Sequence, residues 1–174
     1  CDDQLALFIE KRPPETILAV ISDHGMQGIN KRIALNRLLQ EGGLLTLDPQ
    51  GKVNLSKTKV LYPPVNNGYL LINSADRKNG IVAPQERAKV IQATRELLDS
   101  VRDGDRPVIT AIYDSESDGT EMGIGGSVGG DLYIDLAPGY DFDPRLGPGP
   151  LISEAEPYGN HGADPEQSSM RTIM

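Results

Sequence analysis

Thr16-Ile17-Leu18-Ala19-Val20-Ile21-Ser22-Asp23-His24-Gly25-Met26 is the stretch on which the fold reading turns. Residues 16–22 form a continuous, largely apolar run rich in β-branched side chains, without the alternation of a strand that shows one face to water. Such runs belong to strands covered on both faces, as in a parallel sheet with helices packed against it. The expectation is an α/β fold whose buried strand delivers Asp23 and His24 just past its carboxyl end, where open α/β sheets build their ligand sites. Gly25 then lets the backbone turn so that the two adjacent side chains converge.

Before this stretch, Leu5, Phe8 and Ile9 recur at helical spacing within residues 2–12, and Pro13-Pro14 stops the pattern. That segment reads as the end of a helix, and its uncapped opening at Cys1 suggests a sequence that begins inside a larger protein. After it, a helix is expected over residues 31–41, with Ala34, Leu35, Leu38 and Leu39 on one face and Gly42-Gly43 as its stop. Residues 44–47 and 53–55 flank Asp48-Pro49-Gln50-Gly51, which has turn chemistry, so a hairpin is expected there. Residues 58–62 and 68–73 read as strands, separated by Pro63-Pro64 and Asn66-Asn67.

The clearest helix spans residues 84–102. Pro84 suits a first-turn position, and Val90, Ile91, Thr94, Leu97, Leu98 and Val101 form one stripe that reads as core. Residues 107–114 and 131–136 read as strands on either side of a glycine-rich acidic loop, 115–130. Residues 138–158 are dense in Pro, Gly and Asp and read as a long irregular connection. Residues 170–174 resemble the start of an apolar strand. No internal repeat is present.

Composition narrows the function classes. At 174 residues and 18.8 kDa the chain matches one ordinary domain. The 38% apolar content together with 19 Gly comes near the usual globular value of about 45–50%. No stretch approaches the roughly 18 uninterrupted apolar residues of a membrane helix, and Cys1-Asp2-Asp3-Gln4 lacks the regions of a signal peptide. A net charge of −8 with scattered basic residues argues against binding to the phosphate backbone of a nucleic-acid duplex. The single cysteine rules out a disulfide framework, so a metal site here would use oxygen and imidazole ligands.

Only two histidines occur, each in a glycine-flanked loop: His24 in Ser22-Asp23-His24-Gly25-Met26 and His161 in Gly159-Asn160-His161-Gly162. A carboxylate beside an imidazole is a start for a zinc-type site. The plainer alternative is that Asp23 caps a turn and both histidines are hydrogen-bonded loop residues. Other signals carry less. Asp114-x-Glu116-x-Asp118-Gly119 copies the opening of a calcium loop, but its twelfth position is Gly125 and a strand precedes it. The glycines 123–130 suggest a phosphate cradle without its Lys-Ser/Thr. Ser22, Asp23 and His24 are consecutive and cannot form a triad. Cys1 as a terminal nucleophile and the sequon at Asn54 are set aside. Asp164 is either an orienting partner for His161 or a turn residue.

Taken in order, Ser22-Asp23-His24-Gly25-Met26, Asn36-Arg37-Leu38-Leu39 with Gly42-Gly43-Leu44-Leu45, Gly80-Ile81-Val82 before the long helix, and Gly159-Asn160-His161-Gly162 followed by Met170-Arg171 resemble the type I phosphodiesterase/nucleotide pyrophosphatase family of the alkaline phosphatase superfamily. The resemblance covers essentially the whole chain. It implies a hydrolase of small-molecule phosphate esters or nucleotides with two divalent ions, usually zinc. Asp23 and His24 match ligands of the ion that activates the nucleophile, and His161 matches a ligand of the other. The family's Thr or Ser nucleophile, a first-strand aspartate and an Asp-x-x-x-His pair precede the Ser-Asp-His-Gly-Met motif, and the 22 residues before Asp23 supply none of them.

The resemblance thus implies the C-terminal part of a catalytic domain. The expected architecture is an incomplete alkaline-phosphatase-like three-layer α/β/α sandwich with a mainly parallel sheet. Residues 1–30 and 157–174 would carry the core sheet and metal-ligand loops, and 31–156 an insertion-like α+β region. The isolated chain is expected to be inactive, with three ligands shared between two sites. Alternatives are a phosphonoacetate-hydrolase-like or phosphomutase-like member, the latter disfavoured by Met26 where mutases carry Asn, or a non-catalytic partner-binding module. The fold must bring His24 and His161 to one cleft from distant points in the chain.

Overall fold

In the computed structural model, residues 2–64, 68–126 and 128–172 are described. Helix α1 (Asp2–Lys11) ends ahead of Pro13-Pro14, where a missing N–H and the restricted preceding residue stop a helix. None of its residues is buried. Residues 16–22 follow as irregular chain with Ile17 93% and Ile21 72% exposed. This corrects the expected buried strand. A parallel strand exists only through hydrogen bonds to neighbours on its edges, and among the described residues no strand lies beside this run.

The chain then enters β1 (Gln27–Ile33), which leads into α2 (Leu35–Glu41). Residues 31–33, expected as the start of the helix, complete the strand instead. The helical face holds as read: Ala34, Leu35, Leu38 and Leu39 are buried and Gly42 is the C-cap. The expected hairpin over 44–55 is present in short form: Leu47 bridges Val53, the Asn54 amide donates to the Thr46 carbonyl and the Asp48 amide to the Lys52 carbonyl, and the Asp48 carboxylate closes the turn by accepting the Gln50 and Lys52 amides. Strands β2 (Val60–Leu61) and β3 (Tyr69–Ile72) form an antiparallel pair, and the Asn66-Asn67 breaker lies outside the described residues.

Helix α3 (Pro84–Asp99) starts with Pro at its first turn and buries Val90, Thr94 and Leu98. A tight hairpin of β4 (Arg102–Asp103) and β5 (Arg106–Pro107) follows, then β6 (Ile109–Asp114) and a single helical turn, α4 (Gly119–Met122). β7 (Leu132–Leu136), β8 (Tyr140–Phe142) and β9 (Ile152–Asn160) complete the strands. The last two overturn the expectation of an irregular connection over 138–158. A 3-10 turn, Ser168–Met170, stands where an apolar strand was expected to begin, and Ile173 and Met174 lie outside the described residues.

Two main sheets result, ordered β8-β1-β9 and β2-β3-β7-β6. Among the named strands only β1 and β8 pair in parallel, so the expected mainly parallel sheet is corrected to a mainly antiparallel one within an α/β fold. The reason is visible in burial. β3 and β7 alternate buried and half-buried positions, the pattern of strands covered on one face. One core joins Leu35 and Leu39 of α2 and Leu98 of α3 to Val60, Leu70, Ile72 and Leu132 of the four-stranded sheet. Asn36 ties helix to sheet by accepting the Tyr62 amide and donating to the Tyr62 carbonyl.

Candidate functional site

The loop that carries His24 is held by its own polar groups. The Ser22 hydroxyl donates to the His24 carbonyl at 2.8 Å, and the His24 amide donates to Asp23 Oδ1 at 3.0 Å. His24 Nδ1 lies 2.9 Å from the Gly25 carbonyl oxygen. A carbonyl only accepts, so this contact is a hydrogen bond in the tautomer that carries its proton on Nδ1, the one in which Nε2 presents its lone pair. Asp23 Oδ2 sits 3.4 Å from that Nε2, and the side chains are 87% and 41% exposed for Asp23 and His24. Two donors thus face the same open space.

His161 reaches them through sheet register. β9 pairs with β1 so that Gln27 opposes Asn160 and Gly28 opposes Gly159, returning the next residue beside the start of β1. Its amide donates to Asn160 Oδ1 at 2.9 Å. The imidazoles of His24 and His161 stack with centroids 4.1 Å apart and planes 19° from parallel. Both line an open cleft of about 590 Å³ together with Asp23, Pro165, Met170 and Arg171. The expected convergence on one cleft is therefore present. Asp164 is a turn residue, since its carboxylate accepts the Glu166 amide.

Whether these groups suit a divalent ion is a question of type, spacing and number. Carboxylate oxygen and imidazole nitrogen are zinc-type donors, and a tetrahedral site with bonds of about 2.0–2.2 Å places neighbouring donors about 3.4 Å apart. The Asp23–His24 spacing fits that edge, and the Nδ1–H to backbone carbonyl bond is the orienting contact that ligating histidines usually make. The number falls short: among the described residues no group of three or more His, Cys, Asp or Glu could hold a metal ion. The described residues offer donors of the right kind for an ion, but not a full set.

A second, more enclosed cavity of about 220 Å³ shares His161, Gly162 and Ala163 with the cleft. Tyr133, Tyr140 and Phe142 wall it, with the polar ends of the tyrosines engaged elsewhere. The Tyr140 hydroxyl donates to Asp103, and the Tyr133 hydroxyl accepts the Gly125 and Gly130 amides. Gln27, at the same cavity, keeps its Oε1 buried and without a partner among the described residues. In β7, Asp135 is held above the ordinary carboxylate range, first by burial and then by the charge of Asp164. Sequence reading missed this cavity, because its walls come from β1, β7, β8 and the His161 loop.

The discarded motifs resolve structurally. Asp114 and Asp118 accept amides within their own loop, Glu116 and Asp114 face Arg87, and the amides that a phosphate cradle would need are bound to Tyr133.

An α/β scaffold that brings a carboxylate and two imidazoles to one open cleft has the donor types of a divalent-cation hydrolase. The chain belongs to the type I phosphodiesterase/nucleotide pyrophosphatase family, whose model matches residues 1–164. This is a family of hydrolases, generally metal-dependent, that act on small-molecule phosphate esters or nucleotides. Searches of curated proteins and of solved structures found no match. Among the described residues no helix is long and apolar enough to cross a membrane.

Proposed function

We propose that this chain is the C-terminal portion of an alkaline-phosphatase-like catalytic domain that hydrolyses phosphate diesters or nucleotide pyrophosphate bonds with two zinc ions. Asp23 and His24 would hold one ion and His161 would contribute to the other, with the remaining ligands and the Thr or Ser nucleophile on preceding residues of a longer protein. The observation that carries this reading is the pair of donors 3.4 Å apart, oriented by the Nδ1 contact to Gly25, beside a second imidazole stacked at 4.1 Å. When bound, the ions supply Lewis acidity and neutralise charge on the transferring phosphoryl group. The residues of this chain keep the donors preoriented and the cleft open: Ser22 and the Asp23–His24 amide contact fix the loop, and the β1–β9 register fixes His161.

With three donors for two ions, the isolated chain is inactive and binds zinc weakly, since catalytic zinc sites use about three protein ligands each. Zinc titration calorimetry on this chain and on the longer protein, each with His24→Ala and His161→Ala, tests the reading. Two tight sites in the longer protein, each weakened by a different histidine change, support it. No zinc binding by the longer protein replaces it with the non-catalytic module.

A further inference from the structure

We propose that Gly25 and Met170 are positioning residues for the histidine pair, an inference that rests on the reading of the site just given. Gly25 uses both ends of its peptide unit. Its carbonyl accepts the His24 Nδ1 proton at 2.9 Å, and its amide donates to the Met170 carbonyl at 3.0 Å. The 3-10 turn Ser168–Met170 is thereby coupled through one residue to the orientation of an imidazole.

Two further facts show that the contact is built in. A Cβ at Gly25 would lie 1.8 Å from the Ser169 carbonyl oxygen and 2.7 Å from Met170 Cα, so no side chain fits without separating two backbone segments. The backbone of Gly25 is not in the left-handed region, so close approach is what requires glycine there. Met170 is only 6% exposed, yet it stands outside the main hydrophobic core. It lines the cleft beside His24 and His161. His161 is set separately by the β1–β9 register, with Met26 lying over Gly159. The relative placement of the two rings thus depends on the Gly25–Met170 contact on one side and the sheet on the other.

The chain has only two histidines, so imidazole signals can be assigned without ambiguity. In metal-free protein, the native chain should give a nuclear Overhauser cross-peak between the His24 and His161 rings and an Nδ1–H tautomer for His24. Gly25→Ala should abolish the cross-peak and mix the tautomers. Replacing the Gly25 amide by an ester, which removes the bond to the Met170 carbonyl without a clash, should do the same and covers the case in which Gly25→Ala does not fold. Met170→Leu and Gly28→Ala, the latter with open space around its Cβ position, should keep both signals.

In the longer protein, Gly25→Ala should weaken zinc binding about 10–100-fold, the usual loss when a ligand's orienting contact is removed. A native chain without the cross-peak, or a cross-peak that survives both Gly25→Ala and the ester replacement at Gly25, overturns the proposal. Because the ring contact is read without metal, a protein that keeps these couplings but binds no zinc removes the functional reading alone.

Discussion

Replacing Asn36 tests how α2 is fastened to the sheet. Its side chain is 4% exposed, accepts the Tyr62 amide at 2.8 Å, and donates to the Tyr62 carbonyl at 2.9 Å and the Pro144 carbonyl at 3.3 Å. Pro144 is exposed and recovers a partner from water, whereas Tyr62 is buried. Asn36→Leu roughly conserves volume and strands the buried Tyr62 amide, whose one proton Asn36 accepts, at a cost of about 1–3 kcal/mol. That loss of about 1–3 kcal/mol lowers the thermal midpoint of a domain of this size by roughly 2–12 °C. Urea unfolding followed by circular dichroism measures it, with an unchanged denaturant slope showing that the transition stays comparable. Asn36→Ala should cost at least as much, because a void is added. If Asn36→Leu is within about 0.5 kcal/mol of the native chain, the cost of unpaired buried groups assumed here is refuted.

Asp135→Asn should stabilise the chain near neutral pH. Burial and the Asp164 charge raise the Asp135 pKa in the folded state, so folding favours its protonated form. That contribution is fully present below the unfolded pKa and is lost as pH rises through the raised folded value. The gain from the amide, seen by urea unfolding at neutral pH, should therefore disappear in acid, and a constant gain across pH would contradict the assignment. Tyr133→Phe should release the Gly125 and Gly130 amides, at about 1 kcal/mol. Hydrogen exchange should accelerate at those two amides, and exchange rates equal to those of the native chain would show that the hydroxyl does not hold the loop.

What was legible in the sequence follows from what each element depends on. The apolar faces of α2 and α3 are set by local spacing, and they point inward as read. β9 was illegible because Pro157 and its two glutamates give it no strand pattern of its own. It is a strand because β1 accepts it with a register shift: Ile29 opposes Tyr158 but Lys31 opposes Glu154, so three residues including Pro157 pass opposite Asn30. The bulge removes the need for the amide that proline lacks. Residues 16–22 failed in the opposite sense. Their pattern states what the segment needs for burial and cannot supply the neighbours that would provide it.

The same asymmetry governs the site. Asp23, His24 and His161 stood out because imidazole occurs twice in the chain and each time beside glycine, while their meeting required the β1–β9 register. The Gly25–Met170 contact and the aromatic cavity beside His161 have no sequence pattern, because a close approach is a relation between two segments. Two shortfalls then adjoin one loop. Immediately before it, Ile17, Val20 and Ile21 lie exposed although burying each would contribute about 1.5–3 kcal/mol. At its tip, the donors among the described residues lack the number an ion needs. The proposed place of this chain in a longer catalytic domain accounts for both at once, since strands packed beside residues 16–22 would bring their own carboxyl-end loops toward Asp23 and His24. Covering the apolar run and completing the ligand set would then be coupled in one folding equilibrium, so that metal bound at the site stabilises the packing beneath it.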